Sequence, residues 1–187
     1  MRRLLLLASA LALLAQAPAF AHVVLATPEA RPDSYYVGEF RLSHGCGDSP
    51  TVAFRIEIPD GINIARPQPK PGWAIEIERA PLATPMRTEY GEITERVSAV
   101  TWRGLLPADQ FDDFALLMKL PNRAGPIHFR ALQTCEQGGR AWVDVPAAGQ
   151  NAHDLENPAP TLMVRRPASA AAAAAPAPAS DPHAHHH

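Results

Sequence analysis

Between Tyr35 and Arg165 the apolar residues of this chain recur at every second position in short runs, and glycine or proline closes most runs within about a dozen residues. A period of two gives a strand one buried and one wet face, whereas no stretch sustains the period of 3.6 that a helix needs. The clearest run is Thr51 to Ile58, where Val52, Phe54, Ile56 and Ile58 alternate with Ala53, Arg55 and Glu57. Similar runs are Tyr35 to Ser43, Trp73 to Glu78, Val97 to Trp102, Phe114 to Leu120, Ile127 to Cys135 and Ala141 to Val145. Shorter ones fall at Ile62 to Ala65 and Thr161 to Arg165. Many short strands separated by turns predict an all-β protein, a single β-sandwich of the immunoglobulin or fibronectin kind. Trp73 and Trp102 read as core, His128 as an outward-facing strand residue and His153 as surface. The segment between Glu78 and Val97 reads as a polar strip.

The two ends of the chain read differently. Arg2 and Arg3 precede the apolar run Leu4 to Ala15, and small residues at Ala19 and Ala21 mark a signal-peptidase site. Residues 1–21 are therefore expected to be a signal peptide, and the product is expected in the periplasm. The formal net charge of −2 loses two arginines with that segment, leaving about −4. Such a balance argues against a nucleic-acid partner. No second apolar run approaches the roughly 20 residues of a membrane-spanning helix, so none is expected in the mature chain. Residues 22–166 form the expected domain. Residues 167–187 read as a disordered alanine- and proline-rich tail ending in His183, His185, His186 and His187. Flexible histidines of that kind capture transition metals loosely.

Only Cys46 and Cys135 are available for cross-linking. In an oxidising compartment a lone, well-separated pair reads as a disulfide. Two thiolate metal ligands are the alternative, and no CxxC spacing favours it. Nothing marks an enzyme: GxSxG, a glycine-rich phosphate loop and a serine–histidine–acid pattern are all missing. The exported methionines, Met86, Met118 and Met163, are too scattered for a soft Cu(I) site.

Cleavage after Ala21 would leave His22 first. An N-terminal histidine carries its α-amine and its ring Nδ1 within one chelate ring, a grip that an internal histidine lacks. The order of short motifs around it resembles the YcnI-like family of exported bacterial copper-binding proteins, in its proteobacterial branch. The motifs are Ala21-His22-Val23, His44-Gly45-Cys46 with Ser49-Pro50-Thr51, Pro67-Gln68-Pro69-Lys70-Pro71-Gly72-Trp73, Val100-Thr101-Trp102, Phe111-Asp112-Asp113-Phe114 and the late Trp142. The resemblance covers about residues 22–150. It implies a β-sandwich that holds Cu(II) in a mono-histidine brace, with a carboxylate and a tryptophan beside the metal. His22 and Trp142 match directly.

The carboxylate does not carry over, because the loop here reads His44-Gly45-Cys46-Gly47-Asp48. His44 is a candidate replacement ligand or a cap for loop backbone groups. Asp48 is a candidate acid or the side chain of an Asx turn. Trp142 by itself reads as packing. The expected function is a periplasmic Cu(II)-binding protein in copper acquisition or homeostasis, not an enzyme. Its expected partners are the copper ion and either a copper chaperone or an inner-membrane copper transporter. The alternatives are a copper-dependent oxidase using the same brace, with His44 as second histidine, and a metal-free structural or adhesion sandwich.

Overall fold

A computed structural model of the chain describes residues 22–89 and 91–167. The expected signal peptide and the tail beyond Pro167 lie outside the described residues. Among the described residues, helix is confined to one 3₁₀ turn at Ala152–Asp154, and no helix is long and apolar enough to cross a membrane. The rest is strand and turn: β1 (Val24–Leu25), β2 (Glu29–Ala30), β3 (Tyr35–Leu42), β4 (Thr51–Glu57), β5 (Ile64–Pro67) and β6 (Ala74–Thr88). These are followed by β7 (Gly91–Leu106), β8 (Asp112–Lys119), β9 (Gly125–His128), β10 (Arg130–Cys135), β11 (Gly139–Trp142) and β12 (Thr161–Val164).

The strands form a sheet of order β1-β3-β8-β5, a second of order β11-β10-β4-β7-β6, and a small third sheet β2-β12-β9. The two large sheets meet through aromatic rings. Phe54 of β4 and Phe114 of β8 have centroids 4.8 Å apart, and Trp102 of β7 reaches Phe114 at 5.4 Å. Phe40, Phe54, Trp102, Phe114 and Phe129 are each fully buried in that core. The alternation of β3 is strict, with Tyr36, Phe40 and Leu42 inward and Tyr35, Val37, Glu39 and Arg41 outward. That is the pattern of an antiparallel strand with one solvated face.

Four details depart from the sequence reading, each for a physical reason. In β4 the register against β7 shifts between Thr51 and Ala53, so Thr51 and Ala53 are buried while Val52 is only half-buried. A bulge exchanges the faces of the residues beyond it, which strict alternation cannot anticipate. The run Ile127 to Cys135 is two strands. β9 pairs with β12, β10 pairs with β4 and β11, and the N–H of Phe129 donates to Pro160 O at 2.8 Å where the chain changes sheets. Burial alternates straight through that corner, so the sequence carries no mark of it.

The polar strip is the outer part of a long hairpin, β6 with β7. Its backbone ladder extends past the core, where both faces meet water and no apolar alternation is required. Finally, the short strand expected at Ile62 to Ala65 lies at Ile64–Pro67, on the edge of its sheet. Pro67 has no N–H to give to a neighbour, so an edge suits it.

Candidate functional site

Strand β1 starts two residues after His22. Val23 and Leu25 are buried in the core, and β1 pairs with β3 as Val24↔Arg41 and Leu25↔Phe40. These two apolar plugs fix the start of the described chain on the sandwich instead of leaving it loose. The loop that follows is tied down as well. Tyr36 Oη donates to Thr27 O at 2.6 Å, and burial, with Glu39 a lesser cause, pushes the phenol up to about 12. His22 is thus held half-buried at one end of the first sheet.

It opens onto a groove of about 490 Å³ lined by Val23, Pro28, Pro158, Ala159, Pro160 and neighbouring residues, with His153 also on its wall. His153 belongs to the 3₁₀ turn Ala152–Asp154, and its N–H donates to Asn151 Oδ1 at 3.0 Å. Its side chain is exposed, as the sequence predicts, but its place beside the His22 groove is not legible in the sequence. The segment that carries it folds back because Val143 and Asp144 both donate their N–H to Asn157 O at 3.0 Å. Asn157 N–H in turn donates to Asp144 Oδ2 at 3.0 Å.

The remaining predicted residues do not line the groove. Extending the β1–β3 register by two residues brings His22 level with Ser43, the neighbour of His44. His44 Nδ1 lies 2.6 Å from Gly45 O. A carbonyl oxygen only accepts, so Nδ1 carries the proton and Nε2 keeps its lone pair. His44 therefore caps a backbone group and retains one ligating nitrogen, and the two roles left open by the sequence are compatible. Asp48 is exposed on the tight turn where Cys46 and Ser49 exchange hydrogen bonds of 2.9 and 3.2 Å. Trp142 is 1 % exposed, paired with Ala131 on β10, and part of the core. Among the described residues, no three His, Cys, Asp or Glu side chains converge as they would around a metal held by side chains alone. A brace asks less, since one residue supplies two of its donors.

The His44 loop is fastened by three features, of which the sequence reading found one. Cys46 and Cys135 form the expected disulfide, with Cα atoms 6.1 Å apart. Beside it Gln133, buried on β10, donates from Nε2 to His44 O at 2.9 Å and to Thr51 Oγ1 at 2.6 Å. Gly45 completes the seat, because a Cβ there would stand 2.2 Å from Ser49 O and 2.9 Å from the Ala108 backbone. A buried glutamine inside an otherwise apolar alternation is the signal that the sequence reading passed over. Gln133→Ala is expected to lower stability by about 2 kcal/mol in chemical denaturation, because the buried Thr51 hydroxyl and the part-buried His44 carbonyl lose their donor.

Two of the motifs that carried the resemblance, Pro67 to Trp73 and Phe111 to Phe114, build scaffold and do not line the groove. Lys70 Nζ donates to Asp112 Oδ1 at 2.6 Å and to Asp113 O at 3.0 Å, and lies 4.9 Å over the Phe114 ring. Arg41 grips Asp113 in a two-pronged pair at 2.9 and 2.8 Å. The acidic pair Asp112-Asp113 is therefore structural. Trp73 packs edge-on to Phe114 at 4.9 Å and presses on Gly104, where a Cβ would stand 2.5 Å from its ring.

His128 differs from its expected outward, idle role. It is half-buried, and its Nδ1 stands 2.8 Å from Thr161 Oγ1. Since that hydroxyl donates to Ala159 O at 2.9 Å, it accepts from Nδ1. Burial holds the imidazole below its ordinary value of 6.5. A lowered folded-state value means that the unfolded chain takes up the proton first. His128 then costs no stability above about pH 6.5 and costs progressively more as pH falls below it. His128→Gln should therefore flatten the loss of Tm between about pH 7 and 5 relative to the unmodified chain.

Comparison with known proteins places this architecture among immunoglobulin-like sandwiches. A crystal structure of an uncharacterized protein from Nocardia farcinica, described as having an immunoglobulin-like fold, is similar with a TM-score of 0.58 and 29% identity. The match covers 78% of this chain and 99% of that one. Residues 22–164 match the family described as a domain of unknown function, DUF1775, and the chain belongs to that family. It is the YcnI-like family whose motifs the sequence displays. No curated protein matches the chain.

Proposed function

We propose that the protein is a periplasmic Cu(II)-binding protein in copper acquisition or homeostasis, holding the ion in a brace formed by His22 once residues 1–21 are removed. The observation that carries this reading is the seat of His22, half-buried at the mouth of a groove and followed at once by two core-anchored residues. An amine and imidazole so placed are preorganised, and less ordering entropy is lost on binding a metal. The donor chemistry fits copper. Nitrogen donors, with carboxylate or imidazole in support, suit Cu(II), which also stands highest in the divalent affinity order.

His22 would supply both brace nitrogens. His44 Nε2 and the carboxylate of Asp48 are the supporting donors in this reading, and Trp142 would form part of the apolar backing. Copper in such a site is carried as cargo, passed on to a chaperone or an inner-membrane copper transporter. The test is Cu(II) titration of the exported protein with His183, His185, His186 and His187 replaced by alanine, so that the tail does not compete. One tight equivalent is expected, and its absence refutes the reading. The oxidase alternative requires hydrogen peroxide from ascorbate and oxygen in the same sample.

A further inference from the structure

We infer that His153 supplies a second imidazole to the metal held at His22, so that this chain closes its copper site across the groove with a ligand that a mono-histidine brace lacks. The inference rests on the copper reading above and names one more residue of that site.

Four observations carry it. The same groove of about 490 Å³ is lined by both His22 and His153. Among the described residues lining that groove, these two histidines are the side chains with a free metal-ligating atom. The others are aliphatic residues and prolines, except for Thr161, whose hydroxyl is engaged with Ala159 O and His128. The 3₁₀ turn has its local backbone bonds made: Asn151 caps it through the N–H of His153, Asp154 N–H donates to Asn151 O at 3.1 Å, and Leu155 N–H donates to Ala152 O at 3.2 Å. The imidazole itself is exposed, so it reaches a bound ion without leaving a packed position.

The residues around the groove explain why a histidine there would act as a ligand. Pro28, Pro158 and Pro160 give walls with fixed φ and no side-chain donors to compete with the two histidines. An imidazole carried on a hydrogen-bonded turn beside a brace adds a third nitrogen without ordering a new backbone segment. Neither His44 nor Asp48 lines this groove, whereas His153 does.

The test uses the exported protein with its four tail histidines replaced by alanine, compared with the same chain carrying His153→Ala or His153→Gln. Continuous-wave and pulsed electron paramagnetic resonance of bound Cu(II) count the coordinated imidazoles, and competition titration gives affinity. The parent is expected to show one more coordinated imidazole than either variant, and the variants are expected to bind about 10-fold to 100-fold more weakly. Unchanged thermal unfolding of the apo-variants shows that the fold is intact, as an exposed residue on a surface turn should allow. If the variants keep the parent spectrum and affinity while blocking His22 abolishes both, the inference is wrong and the brace reading stands. If the parent itself binds no Cu(II), both are overturned.

Discussion

An exported chain with one extra alanine ahead of His22 is expected to bind Cu(II) about a hundredfold more weakly than the chain that begins at His22, a loss of ~2.7 kcal/mol. The extra residue converts the α-amine of His22 into an amide, whose nitrogen is a far poorer donor. The imidazole then binds alone, without the chelate partner that raises its effective concentration. Nothing in the fold opposes the addition, since the anchoring residues Val23 and Leu25 follow His22 and stay in the core. Competition titration of both forms, with the tail histidines replaced, measures the difference directly. Equal affinities and equal paramagnetic spectra would sink the brace. Protons compete for the amine, which ordinarily titrates near 8, so binding by the His22-first form should weaken as pH falls below about 7. Under this reading the same peptide-bond cleavage that releases the protein from its export signal creates the metal site.

Loss of the Cys46–Cys135 bridge is the second large effect. The two cysteines are 89 residues apart in sequence, and the bond closes most of the sandwich into one loop. In the chain-entropy account such a loop stabilises the fold by about 4–5 kcal/mol. Domains of this size are stable by roughly 5–15 kcal/mol in total, so the double variant Cys46→Ala with Cys135→Ala should keep only a fraction of its stability. Urea denaturation with and without reductant is the measurement, and a midpoint unmoved by reduction would contradict the expectation. The local consequence is as informative as the global one. Cys46 stands two residues from His44, and Cys135 stands two residues from Gln133, which holds the His44 carbonyl. Removing the bridge and removing Gln133 should therefore cost less together than the sum of the separate losses, because both fasten one loop.

The scaffold around the candidate site shows how motif and function separate. Short sequences such as Lys70-Pro71-Gly72-Trp73 and Phe111-Asp112-Asp113-Phe114 are the ones that reveal the family, yet their side chains serve each other. Lys70 bridges to Asp112, Arg41 to Asp113, and Trp73 lies against both Phe114 and Gly104. They identify the sandwich without lining the groove.

Local rules made much of the fold readable from the chain alone. The strict alternation of β3 and β8, the turn residues between strands and the two lone cysteines each depend on neighbours in sequence or on a single pairing choice. An all-β sandwich cross-linked once follows from them. The expected cleavage that makes His22 a candidate rests likewise on a pattern written in adjacent residues. What depends on register and on sheet assignment was not. The bulge after Thr51, the change of sheets at Phe129 and the long arm of β6 and β7 leave no periodic trace, since each is set by which strand lies alongside. The same holds for His153, an exposed histidine in a polar segment until the bonds from Val143 and Asp144 to Asn157 fold that segment back against the start of β1. Only tertiary structure sets two histidines from opposite ends of the domain on one groove, because side-chain convergence at long range is a property of the packed sheets and not of any local stretch of chain.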